Sequence, residues 1–91
     1  MWEVRRVVGD SMSPTLTDGQ LILLYKTRKF KVGDVVVAFM NHREVVKRII
    51  EMSNGYVFLE GDNKNHSTDS REHGKLIDRH VIGKIVLPKF K

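Results

Sequence analysis

Three short segments carry side chains able to do covalent chemistry. In Gly9-Asp10-Ser11-Met12-Ser13-Pro14-Thr15-Leu16, an apolar-rich run ends at a glycine, and a serine follows in a turn that the proline then stiffens. A nucleophilic serine needs such a mounting. Its hydroxyl must approach a carbonyl along a fixed line while nearby backbone N–H groups receive the developing oxyanion. The same composition also makes an ordinary loop, so this segment does not decide the matter alone. In Arg43-Glu44-Val45-Val46-Lys47-Arg48-Ile49-Ile50, strand alternation puts Lys47 on one face with Val45 and Ile49, and Arg48 on the other with Val46 and Ile50. One of the two cations must therefore lie among apolar neighbours.

A lysine with an ordinary pKa of about 10.4 is neutral only about once in a few thousand molecules at pH 7, a handicap of roughly 4 to 5 kcal/mol for a base. Burial disfavours the ammonium and removes most of that handicap, leaving an amine able to take a serine proton. Arginine stays protonated and cannot serve. The competing reading of Lys47 is an edge lysine whose ammonium reaches water. The third segment, Gly61-Asp62-Asn63-Lys64-Asn65-His66-Ser67-Thr68-Asp69-Ser70-Arg71, holds a hydroxyl, a carboxylate and a guanidinium in close succession. Asp69 and Arg71 have the charges to pair, and Ser67 has the oxygen to orient an amine if the loop folds back over Lys47. A solvated loop with a surface ion pair is the alternative.

The elements that must position these groups read as strands. Apolar residues are mostly β-branched and come in short runs separated by Gly, Asn and Asp, which predicts an all-β domain with strands near residues 2–8, 20–25, 34–40, 43–52, 56–60 and 80–87. Asn41-His42 and Ser53-Asn54-Gly55 are expected as hairpin turns. The segment from Gly61 to Gly74 holds no apolar residue and exceeds an ordinary connection of about 4 to 6 residues, as functional loops do. At 91 residues the chain is read as one domain, residues 1–91. Its longest apolar runs fall far short of the roughly 18 residues a membrane-spanning helix requires. The first residues lack the pattern of a secretory signal, so a cytoplasmic location is expected. With no cysteine present, disulfides, thiolate metal sites and cysteine nucleophiles are excluded. His42, His66, His73 and His80 show no metal-ligand spacing, and no cofactor is expected.

Read in order, these blocks resemble the boxes of the type I signal peptidases, the Ser-Lys peptidases related to LexA-type repressors. The matching residues are Ser11-Met12-Ser13-Pro14-Thr15-Leu16, then Gly33-Asp34-Val35-Val36-Val37, then Val46-Lys47-Arg48, and last Gly61-Asp62-Asn63 through Asp69-Ser70-Arg71. The resemblance implies a small β-barrel or coiled β-sheet catalytic core. It implies Ser11 as nucleophile, Lys47 as base, Ser67 as the hydroxyl that orients the lysine, and Asp69 with Arg71 as a supporting salt bridge. Where many bacterial signal peptidases place an oxyanion-binding serine, this chain has Gly9, so backbone N–H groups must form the hole, that of Ser11 among them. The membrane anchor and large inserted subdomain of the bacterial enzymes have no counterpart in these 91 residues.

The Gly-x-Ser-Met-x-Pro-Thr-Leu pattern is similar to that of small soluble proteases that mature nickel-containing superoxide dismutase. This implies a protein precursor with an N-terminal extension as substrate, and no nickel bound by the protease itself. Three other readings are weighed. A general signal peptidase core would process secreted proteins. A LexA-type self-cleaving regulatory domain would need a cleavable linker, which the sequence does not show. A nucleic-acid-binding module would use Lys26-Thr27-Arg28-Lys29-Phe30-Lys31 and the formal charge of +5, but only one aromatic is interleaved and no recognition motif accompanies it.

Overall fold

The computed structural model describes residues 1–63 and 75–88. Seven strands follow in order: β1 (Trp2–Arg6), β2 (Leu21–Tyr25), β3 (Val35–Met40), β4 (Arg43–Ser53), β5 (Tyr56–Glu60), β6 (Leu76–Ile77) and β7 (Val81–Leu87), with a 3-10 turn (Asp78–His80) before the last. They form one antiparallel sheet in the order β1-β2-β7-β3-β4-β5-β6, curled into a half-barrel. The all-β expectation and the six predicted strands hold to within two residues at each end. β6 was not foreseen, because two residues are too few to show an alternating period.

The central strand explains the core. In β3, Val35, Val36, Val37 and Ala38 are all buried, as befits a strand covered on both faces. Val35 and Val37 join Val7, Met12, Leu16, Ile22, Leu24 and Ile85 on one side. Val36 and Ala38 join Ile49, Val57, Leu59 and Val81 on the other. Two hairpins fix the register of β4. Asn41 and His42 both adopt left-handed φ angles, 54° and 63°, and Asn54 and Gly55 do the same at 51° and 82°. These are the twisted two-residue turns that right-handed strand twist favours, and they pair Met40 with Arg43 and Ser53 with Tyr56.

Curling brings the β1 edge of the sheet round towards β4. The β2–β7 and β3–β7 registers both shift, between Leu23 and Leu24 and between Val37 and Ala38. Between these irregularities sits Gly83, where an added Cβ would lie 2.5 Å from the Tyr25 carbonyl oxygen. Only glycine lets the strands approach so closely. As a result β1 reaches β4, and Arg5 Nε donates to Glu44 Oε1 at 2.9 Å.

Candidate active site

Met12 and Leu16 are fully buried, and they pin the serine turn to the core from below. Above them the backbone closes on itself. The Ser13 N–H donates to the Asp10 carbonyl at 3.1 Å and the Leu16 N–H to the Met12 carbonyl at 2.9 Å. Gly9 enters the turn at φ +88°, a left-handed conformation that side chains rarely adopt, and its N–H donates to Asp18 Oδ1 at 2.7 Å. Gly9 therefore shapes the turn, while its own N–H is committed to a carboxylate. Ser11 is left half-buried at the surface.

Of the adjacent pair Lys47 and Arg48 in β4, Lys47 is the one among apolar neighbours. It is 3% exposed, and no other polar or charged side chain among the described residues is buried. It stands across from Val36 in the sheet register. Ser11 and Lys47 line one groove of about 460 Å³, whose walls come from Arg5 and Arg6 of β1, the Gly9-Asp10-Ser11 turn, and residues 43–47 of β4. Three predicted site residues, Gly9, Ser11 and Lys47, are thus brought together. Ser67, Asp69 and Arg71 lie outside the described residues, as do His66 and His73. His42 and His80 are exposed, and the described residues hold no group of three or more His, Asp or Glu that could bind a metal.

A buttress behind the groove escaped the sequence reading. Arg48, one residue past the lysine and on the opposite face, donates through Nε and Nη2 to the two carboxylate oxygens of Asp62, at 2.9 and 2.8 Å. Its Nη1 reaches the Gly33 carbonyl at 2.8 Å. The Asp62 hydrogen bond raises the Arg48 pKa above its ordinary value, against the opposing effect of burial. Asp62 in turn accepts the Thr15 hydroxyl, and its backbone N–H points at Met12 Sδ, 3.4 Å away. The four sequence blocks are therefore tied together through one arginine and one carboxylate. Alternation had already turned Arg48 away from Lys47, and a half-buried guanidinium requires an acceptor; that was the available signal.

The basic stretch is partly used internally. Arg28 donates to the Val81 and Asp78 carbonyls, both at 2.6 Å, and Lys26 pairs with Glu3 at 2.8 Å.

A curled antiparallel sheet presenting a serine turn and a buried lysine in one groove is the architecture of a serine peptidase core. The family comparison agrees: residues 4–86 match the Peptidase S24-like family, to which this chain belongs. Subunit 1 of the mitochondrial inner membrane protease of Schizosaccharomyces pombe is 36% identical over 116 residues, covering 93% of this chain and 74% of the relative. A LexA repressor of Clostridium perfringens is 31% identical over 91% of this chain and 38% of its own length. The signal peptidase I P of Bacillus subtilis subsp. natto is 31% identical over 100% of this chain and 59% of its own length. No helix among the described residues is long and apolar enough to cross a membrane.

Proposed function

We propose that the chain is a serine endopeptidase in which Ser11 is the nucleophile and Lys47 the general base, removing an N-terminal peptide from a protein precursor. The observation that carries this reading is the burial of Lys47 in the groove that Ser11 lines. A lysine shielded from water is driven towards its neutral amine, the form able to accept a proton. In the proposed reaction the Lys47 amine takes the Ser11 hydroxyl proton as Oγ attacks the scissile carbonyl carbon. The C–N bond breaks, Lys47 delivers that proton to the departing amine, and an ester remains on Ser11. Lys47 then deprotonates a water molecule that attacks the ester, releasing the acid and restoring the serine. The Ser11 N–H is the proposed oxyanion donor. Ser67 as the partner of the lysine, and Asp69 with Arg71 as a brace, remain part of the proposal on family resemblance.

The substrate is proposed to lie extended along β4. Pairing with β5 begins at Arg48, so among the described residues the strand from Arg43 to Val46 pairs with β3 alone and offers main-chain groups along the groove. The specific substrate proposed is the precursor of a nickel-containing superoxide dismutase in the cytoplasm, supported by the resemblance of the Gly9 to Leu16 segment. Incubating the purified protein with that precursor and sequencing any new N-terminus tests the substrate. Ser11→Ala and Lys47→Arg should both be inactive, and substantial turnover by either removes the mechanism. The LexA relative favours one second reading, a self-cleaving regulatory domain. A mass loss on alkaline incubation of the chain alone would support it.

A further inference from the structure

We infer that Asn63 is a positioning residue that aims the Ser11 N–H into the groove, an inference that rests on the peptidase reading above. Asn63 holds both carbonyls that flank the nucleophile. Its backbone N–H donates to the Ser11 carbonyl at 2.8 Å, and its side-chain Nδ2 donates to the Asp10 carbonyl at 3.1 Å. A trans peptide is a rigid plane in which the N–H points opposite to the C=O. The cis bonds among the described residues precede Pro14 and Pro88, so the plane that carries the Asp10 carbonyl and the Ser11 N–H is trans. Asn63 is not one of the groove-lining residues, whereas Asp10 and Ser11 are. Drawing the Asp10 carbonyl towards Asn63 therefore turns the Ser11 N–H the other way, towards the groove.

That N–H makes no hydrogen bond among the described residues, while the Gly9 N–H is already taken by Asp18. The donor is thus held in place before any oxyanion forms, which is the condition under which such a donor is worth most. The buttress completes the arrangement. Asn63 directly follows Asp62, whose carboxylate is clamped by Arg48, so the clamp on the nucleophile turn is itself anchored.

The inference separates the two ends of Asn63. Asn63→Ala keeps the backbone bond to Ser11 and removes only the side-chain bond to Asp10, leaving the Asp10 carbonyl to the Ser13 N–H within the turn, so it loosens the one plane that carries the oxyanion donor. The test uses a quenched-fluorescent peptide chosen from a library for wild-type turnover. Losing an oxyanion donor outright costs about 10²- to 10³-fold in kcat, so losing its support is expected to lower kcat about 10- to 100-fold. KM should stay within about threefold, because a contact felt only in the transition state leaves ground-state binding alone. The Kd of the same peptide, measured with Ser11→Ala and with Ser11→Ala/Asn63→Ala, should be unchanged. If Asn63→Ala loses the fold, the near-isosteric Asn63→Asp lacks the same donor and is read in the same way. Wild-type kcat in the folded variant, or a loss confined to KM and Kd, overturns the inference while an inactive Ser11→Ala leaves the peptidase reading standing. Turnover by Ser11→Ala at the wild-type rate removes both.

Discussion

Replacing Asp62 with alanine should destabilise the fold and slow the enzyme together, because one carboxylate ties the lysine strand to the serine turn. The change removes two charge-assisted hydrogen bonds from Arg48 and the bond from the Thr15 hydroxyl. Cutting one partner from a fully buried pair costs about 3 to 5 kcal/mol. Here the side chains of Arg48 and Asp62 retain 26% and 20% exposure, and Arg48 keeps its bond to Gly33, so water recovers part of the loss. About 2 to 3 kcal/mol is expected, which for a domain of this size lowers the melting temperature by roughly 8 to 24 °C. Urea denaturation followed by circular dichroism measures it, with Arg48→Met and the double variant completing a cycle. The two changes should couple by about 1 to 2 kcal/mol, as residues in one network do. Additivity to within about 0.5 kcal/mol would show that the ion pair contributes nothing, and the buttress would be refuted.

Three further outcomes follow from other parts of the molecule. Lys47→Met should be inactive in peptide cleavage yet keep the cooperative melt of a folded domain, since an apolar chain of similar length and volume fills the same buried site. Gly83→Ala should lose about 1 to 3 kcal/mol in denaturant titration, because its Cβ would meet the Tyr25 carbonyl oxygen and carbon, fixed backbone atoms, at 2.5 and 3.0 Å. Glu3→Gln should flatten the acid limb of the stability profile. Hydrogen bonds from Lys26 and then Arg5 hold the Glu3 carboxyl below its ordinary value of 4.5. Its contribution is therefore full above that value and disappears as pH falls through the lowered folded one, so variant and wild type should converge in acid.

The fold was largely legible because its strands have strong periods. The Val35 to Met40 run announced a strand, though not that it would be covered on both faces, and Ser53-Asn54-Gly55 announced a hairpin turn. Lys47 was legible as one of two candidates. Alternation separated it from Arg48 but could not say which face was buried, since that depends on how the sheet curls around Gly83. The pairing of Arg48 with Asp62 spans 14 residues and the clasp of Asn63 on Asp10 spans 53, distances over which no local pattern connects the partners. Nor did the spacing around Gly9 reveal that Asp18, nine residues on, would occupy its N–H.

Acid-quenching the protein during turnover and weighing its peptides tests the covalent chemistry most directly. The peptide bearing Ser11 should gain the mass of the acyl half of the substrate, and the adduct should vanish in Ser11→Ala and in Lys47→Arg. An adduct on another residue, or steady cleavage by Ser11→Ala, would contradict a serine nucleophile deprotonated by the lysine that lines the same groove.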